Sequence, residues 1–440
     1  NFYKNHMPFD LTNAQKRVIK ECYENMCSKK QMNRLIQGDV GSGKTIVAFL
    51  CMLFPVESGA QVAFMAPTEV LAEQHFKSVL GLAKKLNLSV ELLTGSTKPK
   101  ERDILLNNLL IGKTNILIGT HALIEERVRF KKLGLVVIDE QHKFGVAQRA
   151  KLWSKKEEYY PHVLVMTATP IPRTLALTLY GDLDVSVIDE LPKGRKEIIT
   201  SHRNDNSRLK VLNFIKQTVE SGSQVYIVYP LIEESAKKDH KDLMDGYESL
   251  TRYFPDTQIG VLHGRMKAEN KDYEMKRFVE AKTKILVSTT VVEVGVDVPN
   301  ASVIIIESAE RFGLSQLHQL RGRVGRGKKQ SYCILMTKYD ISKESKERIK
   351  AMVETSDGFK IANTDLKLRG PGNMMGTKQS GLLELRFTNL AEDYESIKKT
   401  RKTAINLIEE DPELSSKENI EIKNYLKNNI KSNINWSRIS

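Results

Sequence analysis

One stretch of eight residues constrains this chain more than any other. Residues 38–45 are Gly-Asp-Val-Gly-Ser-Gly-Lys-Thr and fit the pattern G-x-x-x-x-G-K-[ST], whose glycines let backbone N–H groups turn inward around a phosphate. Residues 34–37 can form a short strand before it, and residues 46–54 are an apolar, helix-compatible run after it. A strand, this loop and a helix in that order predict a nucleoside triphosphate site in an α/β domain.

The side chains of this loop suit the phosphates of a nucleotide. Lys44 would reach the β- and γ-phosphates, and Thr45 would offer its hydroxyl to Mg²⁺. Such a pattern can also arise by chance in a turn rich in glycine and serine, but a partner motif downstream favours the nucleotide site. The candidate nucleotide-binding residues of the loop are Gly38, Gly41, Ser42, Gly43, Lys44 and Thr45.

A helix is predicted shortly before the loop. Thr12 can cap a helix over residues 16–26, and Gln15 carries a donor and an acceptor, enough to bind an adenine edge. Phe9 can stack on the base. An ordinary helix N-terminus is the alternative, but the phosphate loop follows about twenty residues later. We therefore predict that Phe9 and Gln15 contact the nucleotide.

A second motif joins a buried strand to two carboxylates. Residues 135–138 are an unbroken apolar run, typical of a central parallel strand buried on both faces. Asp139 and Glu140 follow it directly. Asp139 would hold Mg²⁺ together with Thr45, and Glu140 would orient the attacking water. Two acids at a strand end can also cap a helix, but their pairing with the phosphate loop favours catalysis.

Strands and helices alternate through residues 1–190, which we predict to be the first RecA-like domain. Further strands are expected at residues 61–65, 115–118 and 162–166. Threonines follow these strands at their carboxyl ends, where an open α/β sheet binds its ligands. Each alone could be a simple cap. The threonines are Thr68, Thr120, Thr167 and Thr169.

Residues 191–338 repeat the α/β pattern without a second phosphate loop. The stretch QLHQLRGRVGRG at residues 316–327 places Arg323 and Arg326 among glycines, and arginine neutralises phosphate charge in transition states. A solvated basic patch is the alternative. A phosphate loop on one domain and arginines on the next predict a site in the cleft between them. The predicted strands cover residues 224–229, 258–262, 284–288, 302–307 and 331–336.

Residues 339–440 are predicted to form a C-terminal helical hairpin, a loop and a tail. Helices are expected over residues 345–355 and 359–368, followed by a glycine-rich stretch at residues 370–381. The Lys-, Asn- and Ser-rich end is expected to fray.

Composition adds weaker constraints. Lysine and arginine number 68 against 54 acidic residues, a net charge of +14, which fits a polyanionic partner or merely a Lys/Asn-biased genome. The four cysteines form no CxxC pair, as expected for reduced thiols of a cytosolic protein. No apolar run approaches the ~18–20 residues that span a bilayer. The chain starts at Asn1, so we expect a fragment or a processed chain.

Taken in order, these motifs resemble those of superfamily-2 helicases and translocases. The set is GDVGSGKT, APTE, GTHALI, DEQH, TATP, STTVVEVGVDVP and QLRGRVGRG, across residues 9–327. The longer stretches DEQHKFGV, TATPIPRTLA, DLKLRGPG and GTKQSG are similar to the RecG family in particular. Lys143 stands where that family usually carries arginine. The family's N-terminal wedge domain, which grips branched DNA, does not precede the first motif, so junction specificity is not predicted for this chain.

The resemblance implies an α/β fold of two tandem RecA-like domains, each a parallel sheet flanked by helices, plus a C-terminal helical hairpin and loop. It implies a translocase that uses ATP and Mg²⁺ on double-stranded and branched DNA. Such enzymes remodel stalled replication forks and migrate Holliday junctions in recombination and repair. A single-stranded DNA-binding protein as a further partner, a monomeric state and a bacterial cytoplasmic, nucleoid-associated location are expected with it.

The resemblance also assigns roles to individual residues. Arg348 and Gln379 would belong to one hydrogen-bond network that couples hydrolysis to movement. Catalysis is assigned to Lys44, Asp139, Glu140, Arg323 and Arg326. DNA binding or coupling is assigned to Thr68, Thr120, His142, Thr167, Thr169, Thr289, Gln319, Arg348 and Gln379.

Two other classes compete with this interpretation. A motor of the transcription-repair coupling type would show an N-terminal polymerase-binding region, and none is seen. A nucleic-acid-binding module with an inactive motor would not need intact Lys44, Glu140 and Arg323. A phosphate-release assay with and without DNA separates the second class from an active motor.

Overall fold

The computed structural model describes residues 7, 9–28, 30–140, 160–167, 172, 183–192, 196–230, 236–289, 296–327, 329–369 and 393–429. Within these ranges the backbone forms two parallel β-sheets, one of seven strands and one of six. Helices pack against both sheets, and a pair of helices follows the second. The predicted architecture of two tandem RecA-like domains with a C-terminal helical hairpin is confirmed.

The first sheet has the strand order β3-β4-β2-β5-β6-β1-β7, and every neighbouring pair is parallel. Gln37 lies opposite Thr167 and Asp139 lies opposite Met166. The carboxyl ends of β1, β5 and β6 therefore meet at one edge. The strands are β1 (Asn33–Gly38), β2 (Gln61–Met65), β3 (Val90–Leu93), β4 (Ile116–Gly119), β5 (Leu133–Asp139), β6 (His162–Thr167) and β7 (Asp184–Ile188).

The sequence predicted the inner strands of this sheet and missed its edges. β2 has the predicted bounds, β4 is shifted by one residue, and β6 is one residue longer. β3 and β7 were not predicted. Both are outermost strands and keep half-buried or exposed residues such as Glu91 and Asp184, so neither has the unbroken apolar run of a central strand.

Among the described residues, four α-helices between positions 13 and 111 accompany the first sheet. The predicted cap is confirmed, because Thr12 accepts from the Gln15 N–H at 3.2 Å while Gln15 Oε1 accepts from the Thr12 N–H at 2.9 Å. This capping box starts the first helix three residues earlier than predicted. The helices are α1 (Asn13–Met26), α2 (Lys44–Glu57), α3 (Glu69–Ala83) and α4 (Pro99–Ile111).

The second sheet has the order β10-β11-β9-β12-β13-β8 and is also parallel. The five predicted strands fall on β9 to β13, each within one residue of the observed bounds. The edge strand β8 was missed because its sequence, ITSHRN, is mostly polar. The strands are β8 (Ile199–Asn204), β9 (Gln224–Val228), β10 (Ile259–Leu262), β11 (Ile285–Ser288), β12 (Ala301–Ile306) and β13 (Tyr332–Thr337).

The C-terminal helical pair, α9 and α10, packs on the second domain. Ile349 and Met352 of α9 and Ile361 of α10 belong to the same hydrophobic core as Tyr226 of β9. The pair is thus held by the second sheet, and the predicted boundaries at residues 190 and 338 stay predictions. The helices of this part are α5 (Arg208–Glu220), α6 (Ala236–Tyr253), α7 (Ala268–Val279), α8 (Leu314–Arg321), α9 (Lys343–Glu354), α10 (Gly358–Arg369), α11 (Tyr394–Glu410) and α12 (Ile420–Asn429).

Helix α11 returns to the first domain. Arg401 Nη2 donates to the Leu183 carbonyl at 3.0 Å, and Lys30 Nζ lies 2.5 Å from Glu409 Oε1.

Among the described residues, none of the helices has the length and apolar character needed to cross a lipid bilayer.

Candidate nucleotide site between the two domains

The phosphate loop, residues 38–45, joins β1 to α2. Gly41 and Gly43 have φ angles of 75° and 84°, a left-handed backbone that glycine adopts without steric cost. A Cβ on Gly43 would also lie 2.3 Å from Gln15 Nε2. Two positions therefore require glycine, and the loop lies at the N-terminus of α2, whose partial positive charge favours an anion.

Lys44 lies inside the loop and is held by two backbone carbonyls. Its Nζ donates to the oxygens of Gly38 at 2.8 Å and Asp39 at 2.9 Å, and the residue is 9% exposed. Burial lowers the pKa of Lys44, an effect that the carboxylates of Glu140 and Asp139 oppose. The ammonium is thus bound by neutral acceptors that the phosphates of a nucleotide can replace.

Asp139 at the end of β5 is fixed by a histidine. Its Oδ2 accepts from His75 Nε2 at 2.8 Å, and the His75 ring centroid lies 4.6 Å from that of Phe64. Burial raises the pKa of Asp139, but the hydrogen bond and charge of His75 outweigh it, so the pKa lies below its ordinary value. Asp139 is therefore ionised at neutral pH, the form that binds Mg²⁺.

Glu140 follows in an uncommon backbone conformation. Its φ is 53°, which costs a residue other than glycine on the order of 1–3 kcal/mol. Its N–H donates to Asp139 Oδ1 at 3.1 Å, which helps to stabilise this turn. The turn places Glu140 beside Lys44 in the lining of one cavity.

Gln15 contacts the phosphate loop directly. Its Nε2 donates to the Ser42 carbonyl at 2.7 Å, while its Oε1 takes part in the capping box with Thr12. Phe9 is 51% exposed. The structure thus links Gln15 to the shape of the loop, and adenine binding by Gln15 and Phe9 stays a prediction.

A cavity of about 870 Å³ lies between the two domains. Gly41, Gly43 and Thr45 of the loop line it, whereas Gly38 and Ser42 do not and instead contact Lys44 and Gln15 through their carbonyls. The second domain also contributes. Besides the loop, the ionisable residues that line the cavity are His75, Asp139, Glu140, Asp297, Arg323, Arg326 and Lys329.

Arg323 and Arg326 both reach this cavity from the segment that follows α8. Arg323 is 4% exposed, and Arg326 forms an ion pair with Asp297. Burial raises the pKa of Tyr226 on β9, and the charges of the two arginines act against that shift. Both arginines therefore bring positive charge to the cavity from the second domain.

The two domains are joined by direct contacts around the cavity. His318 Nε2 lies 2.7 Å from Asp39 Oδ1. Gln74 Nε2 donates to Asp297 Oδ2 at 2.7 Å, and Gln74 Oε1 accepts from the Asp297 N–H at 3.2 Å. Candidate residues of both domains therefore line one cleft, and its role as the nucleotide site stays a prediction.

The sequence did not predict several residues of the cavity lining, among them Gln74, His75 and Asp297, nor His318, which joins the domains outside that lining. Gln74 and His75 lie on α3, whose N-cap Thr68 was singled out while the helix itself was not. His318 lies inside the stretch QLHQLRGRVGRG, which drew attention for its arginines. For Gln74 and His75, the sequence pattern that could have predicted a role was a pair of polar residues on a helix that closely follows a strand end.

Three family models match the chain in order. They are DEAD/DEAH box helicase over residues 12–178, helicase conserved C-terminal domain over residues 192–328, and ATP-dependent DNA helicase RecG, domain 3, C-terminal, over residues 355–440. The first two models each contain one side of the cavity, and the third includes α10.

Whole-chain comparisons give the same family. The chain is 53% identical over 418 residues to the ATP-dependent DNA helicase RecG of Synechocystis, covering 95% of this chain and 50% of the relative. It is 51% identical over 406 residues to that of Bacillus subtilis, covering 92% and 59%. The chain belongs to the RecG family. It spans about half the length of the relatives it matches.

A solved RecG structure agrees with the fold. The structure of RecG bound to a three-way DNA junction matches with a TM-score of 0.76 and 47% identity, covering 90% of this chain and 51% of that one. The match extends beyond one domain, so the tandem arrangement of the two sheets is shared with RecG.

The described threonines among those assigned to DNA binding or coupling lie at or just after strand ends, as predicted. Thr68 caps α3, accepting from the Leu71 N–H at 3.4 Å. Thr167 ends β6 and is buried. Thr120 and Thr289 are each 1% exposed, with hydroxyls that have no hydrogen-bond partner among the described residues. Their roles stay predictions.

The coupling residues are only partly described. Arg348 on α9 donates to the carbonyls of Phe312 at 2.7 Å and Glu310 at 3.1 Å, so α9 is tied to the segment before α8. Gln319 on α8 is half-buried. His142, Thr169 and Gln379 lie outside the described residues, and the predicted Arg348–Gln379 network stays a prediction.

Proposed function

We propose that this chain hydrolyses ATP and uses the energy to move along double-stranded and branched DNA. In recombination and repair it would remodel stalled replication forks and migrate Holliday junctions. The observation that carries the proposal is the single cavity into which one domain places Lys44 and Glu140 and the other Arg323. Because its residues come from both domains, such a cavity is complete only when the domains are in contact, and a motor needs hydrolysis to depend on that contact.

The phosphate loop binds the triphosphate. Lys44 would leave the Gly38 and Asp39 carbonyls for the β- and γ-phosphates, exchanging neutral acceptors for charged ones. Glu140, held beside Lys44 by its left-handed backbone, would orient the attacking water. Because a positioned carboxylate both orients and polarises water, it acts mainly on the hydrolysis step.

The site fits Mg²⁺. Asp139 is ionised, fixed by His75, and lines the same cavity as the Thr45 residue that would offer its hydroxyl. When bound, Mg²⁺ would neutralise charge on the β- and γ-phosphates. His75 orients Asp139 for this task, as outer hydrogen bonds orient metal ligands generally.

The arginines complete the site from the second domain. Arg326 is paired with Asp297, and Gln74 of the first domain also contacts Asp297. The γ-phosphate would compete with Asp297 for Arg326, so nucleotide binding alters a contact between the domains. Arg323, almost fully buried, would stabilise transition-state charge.

DNA binding is supported by the net charge of +14. Phosphate contacts would dominate affinity, so binding should weaken steeply with salt. A single-stranded DNA-binding protein as a partner, a monomeric state and a bacterial cytoplasmic, nucleoid-associated location belong to the same proposal and rest on the family alone.

One experiment tests the proposal with the 440-residue chain. Phosphate release is measured with and without linear duplex DNA, and displacement of a third strand from a triplex is measured with ATP or a non-hydrolysable analogue. DNA should stimulate phosphate release, and displacement should require both ATP and Mg²⁺. DNA binding without any stimulated hydrolysis would overturn the proposal and indicate an inert binding module.

A further inference from the structure

A contact outside the nucleotide chemistry joins the phosphate loop to the second domain. Asp39 Oδ1 lies 2.7 Å from His318 Nε2 on α8, and the two residues are 279 positions apart in sequence. The His318 side chain is 5% exposed and that of Asp39 is 22% exposed. A hydrogen bond this short and this buried fixes both partners.

The neighbour of His318 determines which nitrogen carries its proton. Arg321 Nη2 lies 3.0 Å from His318 Nδ1. A guanidinium group only donates hydrogen bonds, so Nδ1 must accept and the hydrogen sits on Nε2. His318 is therefore neutral and donates to the Asp39 carboxylate. The hydrogen bonds run in one direction, from Arg321 through His318 to Asp39.

Arg321 also donates hydrogen bonds to the turn between the two C-terminal helices, α9 and α10. Nη1 donates to the carbonyls of Met352 and Thr355, both at 2.9 Å, and Nη2 donates to that of Ser356 at 3.1 Å. These carbonyls lie in the last turn of α9 and the turn into α10, where a cation is favourable. Arg321 is 3% exposed, so it holds this turn rigidly.

A second contact lies beside the first. An ideal Cβ on Gly322 would lie 2.7 Å from the Val40 side chain, so the end of α8 packs against the outer edge of the phosphate loop. On the inner side, Lys44 donates to the Asp39 carbonyl at 2.9 Å. Asp39 is thus bonded to Lys44 through its backbone and to His318 through its carboxylate.

We propose that Asp39, His318 and Arg321 form a positioning chain that transmits the state of the phosphate loop to the turn between α9 and α10. When Lys44 leaves Asp39 for phosphate, the backbone of Asp39 loses a partner while its carboxylate stays bonded to His318. A change at the loop thereby reaches the helical pair without passing through Arg323 or Arg326. The inference deepens the proposed function and rests on it, because the change at the loop has a role in movement only if the loop binds ATP.

The test compares Asp39→Ala, His318→Ala and the double variant, with His318→Gln as the conservative change, because glutamine keeps an amide donor near the position of Nε2. His202→Ala is the matched control. His202 Nε2 lies 2.8 Å from Thr337 Oγ1, so this histidine has a comparable bond within one domain only.

The first readout is hydrogen–deuterium exchange of residues 343–369, with and without a non-hydrolysable ATP analogue. Asp39→Ala and His318→Ala should each raise exchange there about fivefold, the scale of one lost hydrogen bond. The double variant should add nothing further, because both changes break the same link. His318→Gln should restore most of the protection. This readout needs no catalysis, so it decides the positioning chain even if the proposed function fails.

The second readout is triplex displacement per ATP hydrolysed. His318→Ala should lower this ratio about fivefold while KM for ATP changes within about twofold, since no nucleotide contact is lost. If His318→Ala behaves like His202→Ala in both readouts, or if the double variant shows the product of the two single effects, the positioning chain is wrong. Wild-type protein without DNA-stimulated hydrolysis would instead refute the proposed function.

Discussion

The two sheets share one architecture but face the cavity with opposite edges. The first sheet presents its carboxyl edge, where β1 leads into the glycine loop and β5 leads into Asp139 and Glu140, and the proposed function gives this edge phosphate, Mg²⁺ and the attacking water. The second sheet faces the cavity with its amino edge, where the segment between α8 and β13 brings Arg323 and Arg326 to the lining. In the proposed function, one domain therefore binds the nucleotide and the other stabilises its transition state.

This division makes hydrolysis depend on docking. Interactions that exist only when the domains close strengthen in the transition state and raise kcat without tightening substrate binding. Variants on the two sides should therefore divide into losses of binding and losses of rate. The predictions below run from the largest expected effect to the smallest.

Lys44→Ala should reduce ATP turnover to background. The loop then lacks the ammonium that would reach the β- and γ-phosphates. Phosphate release and equilibrium nucleotide binding should both fall. Strong residual turnover would mean that the nucleotide lies elsewhere. Lys20→Ala, an exposed lysine on α1, is the control.

Arg323→Ala should lower the rate of hydrolysis by roughly 10³–10⁵, the effect of arginines that reach a transferring phosphoryl group. ATP affinity should change little, because the contact grows in the transition state. The measurement is single-turnover hydrolysis beside nucleotide titration, with Arg252→Ala on α6 as the control. An equal loss of affinity and rate would indicate a ground-state contact and remove the contrast between the two edges.

Glu140→Gln should bind ATP normally and hydrolyse it about 10²–10⁴ times more slowly, the range for loss of a positioned acid–base group. The amide keeps the size of the side chain and removes its charge. Single-turnover hydrolysis measures the rate. Turnover at the wild-type rate would show that another group orients the water.

His75→Ala should raise the Mg²⁺ concentration needed for half-maximal turnover by about 10–100-fold, as losses of outer hydrogen bonds to metal ligands do. Asp139 stays but is no longer oriented by the bond at 2.8 Å. Saturating Mg²⁺ should recover most of the rate, and His75→Gln should lie between the two. A rate defect that Mg²⁺ cannot correct would give His75 a role in the chemical step.

Arg348→Ala should change ATP turnover least and displacement per ATP more, by about two- to thirtyfold, the range for residues along a coupling route. Its bonds to Phe312 and Glu310 tie α9 to the segment before α8 without touching the cavity. Lys350→Ala on the same helix, 71% exposed, is the control. Equal displacement per ATP in both variants would make Arg348 structural.

Local sequence patterns predicted much of the fold around the candidate site. The inner strands appeared as apolar runs because parallel strands are buried on both faces, and the phosphate loop and its capping helix appeared in local patterns. The edge strands β3, β7 and β8 gave no such run. The relations of His75 to Asp139 and of His318 to Asp39 had no local pattern at all, since they join residues 64 and 279 positions apart.

The sequence by itself determined the tandem α/β fold, the family and the residue types at each strand end, because these follow from patterns shorter than one strand and its loop. Only the tertiary structure decided that Lys44 rests on its own loop, that Arg326 pairs with Asp297, and that Arg321 holds the turn between α9 and α10. The reason is physical. A hydrogen bond is set by distance in space, and the chain brings such partners together only when sheets, helices and both domains have packed.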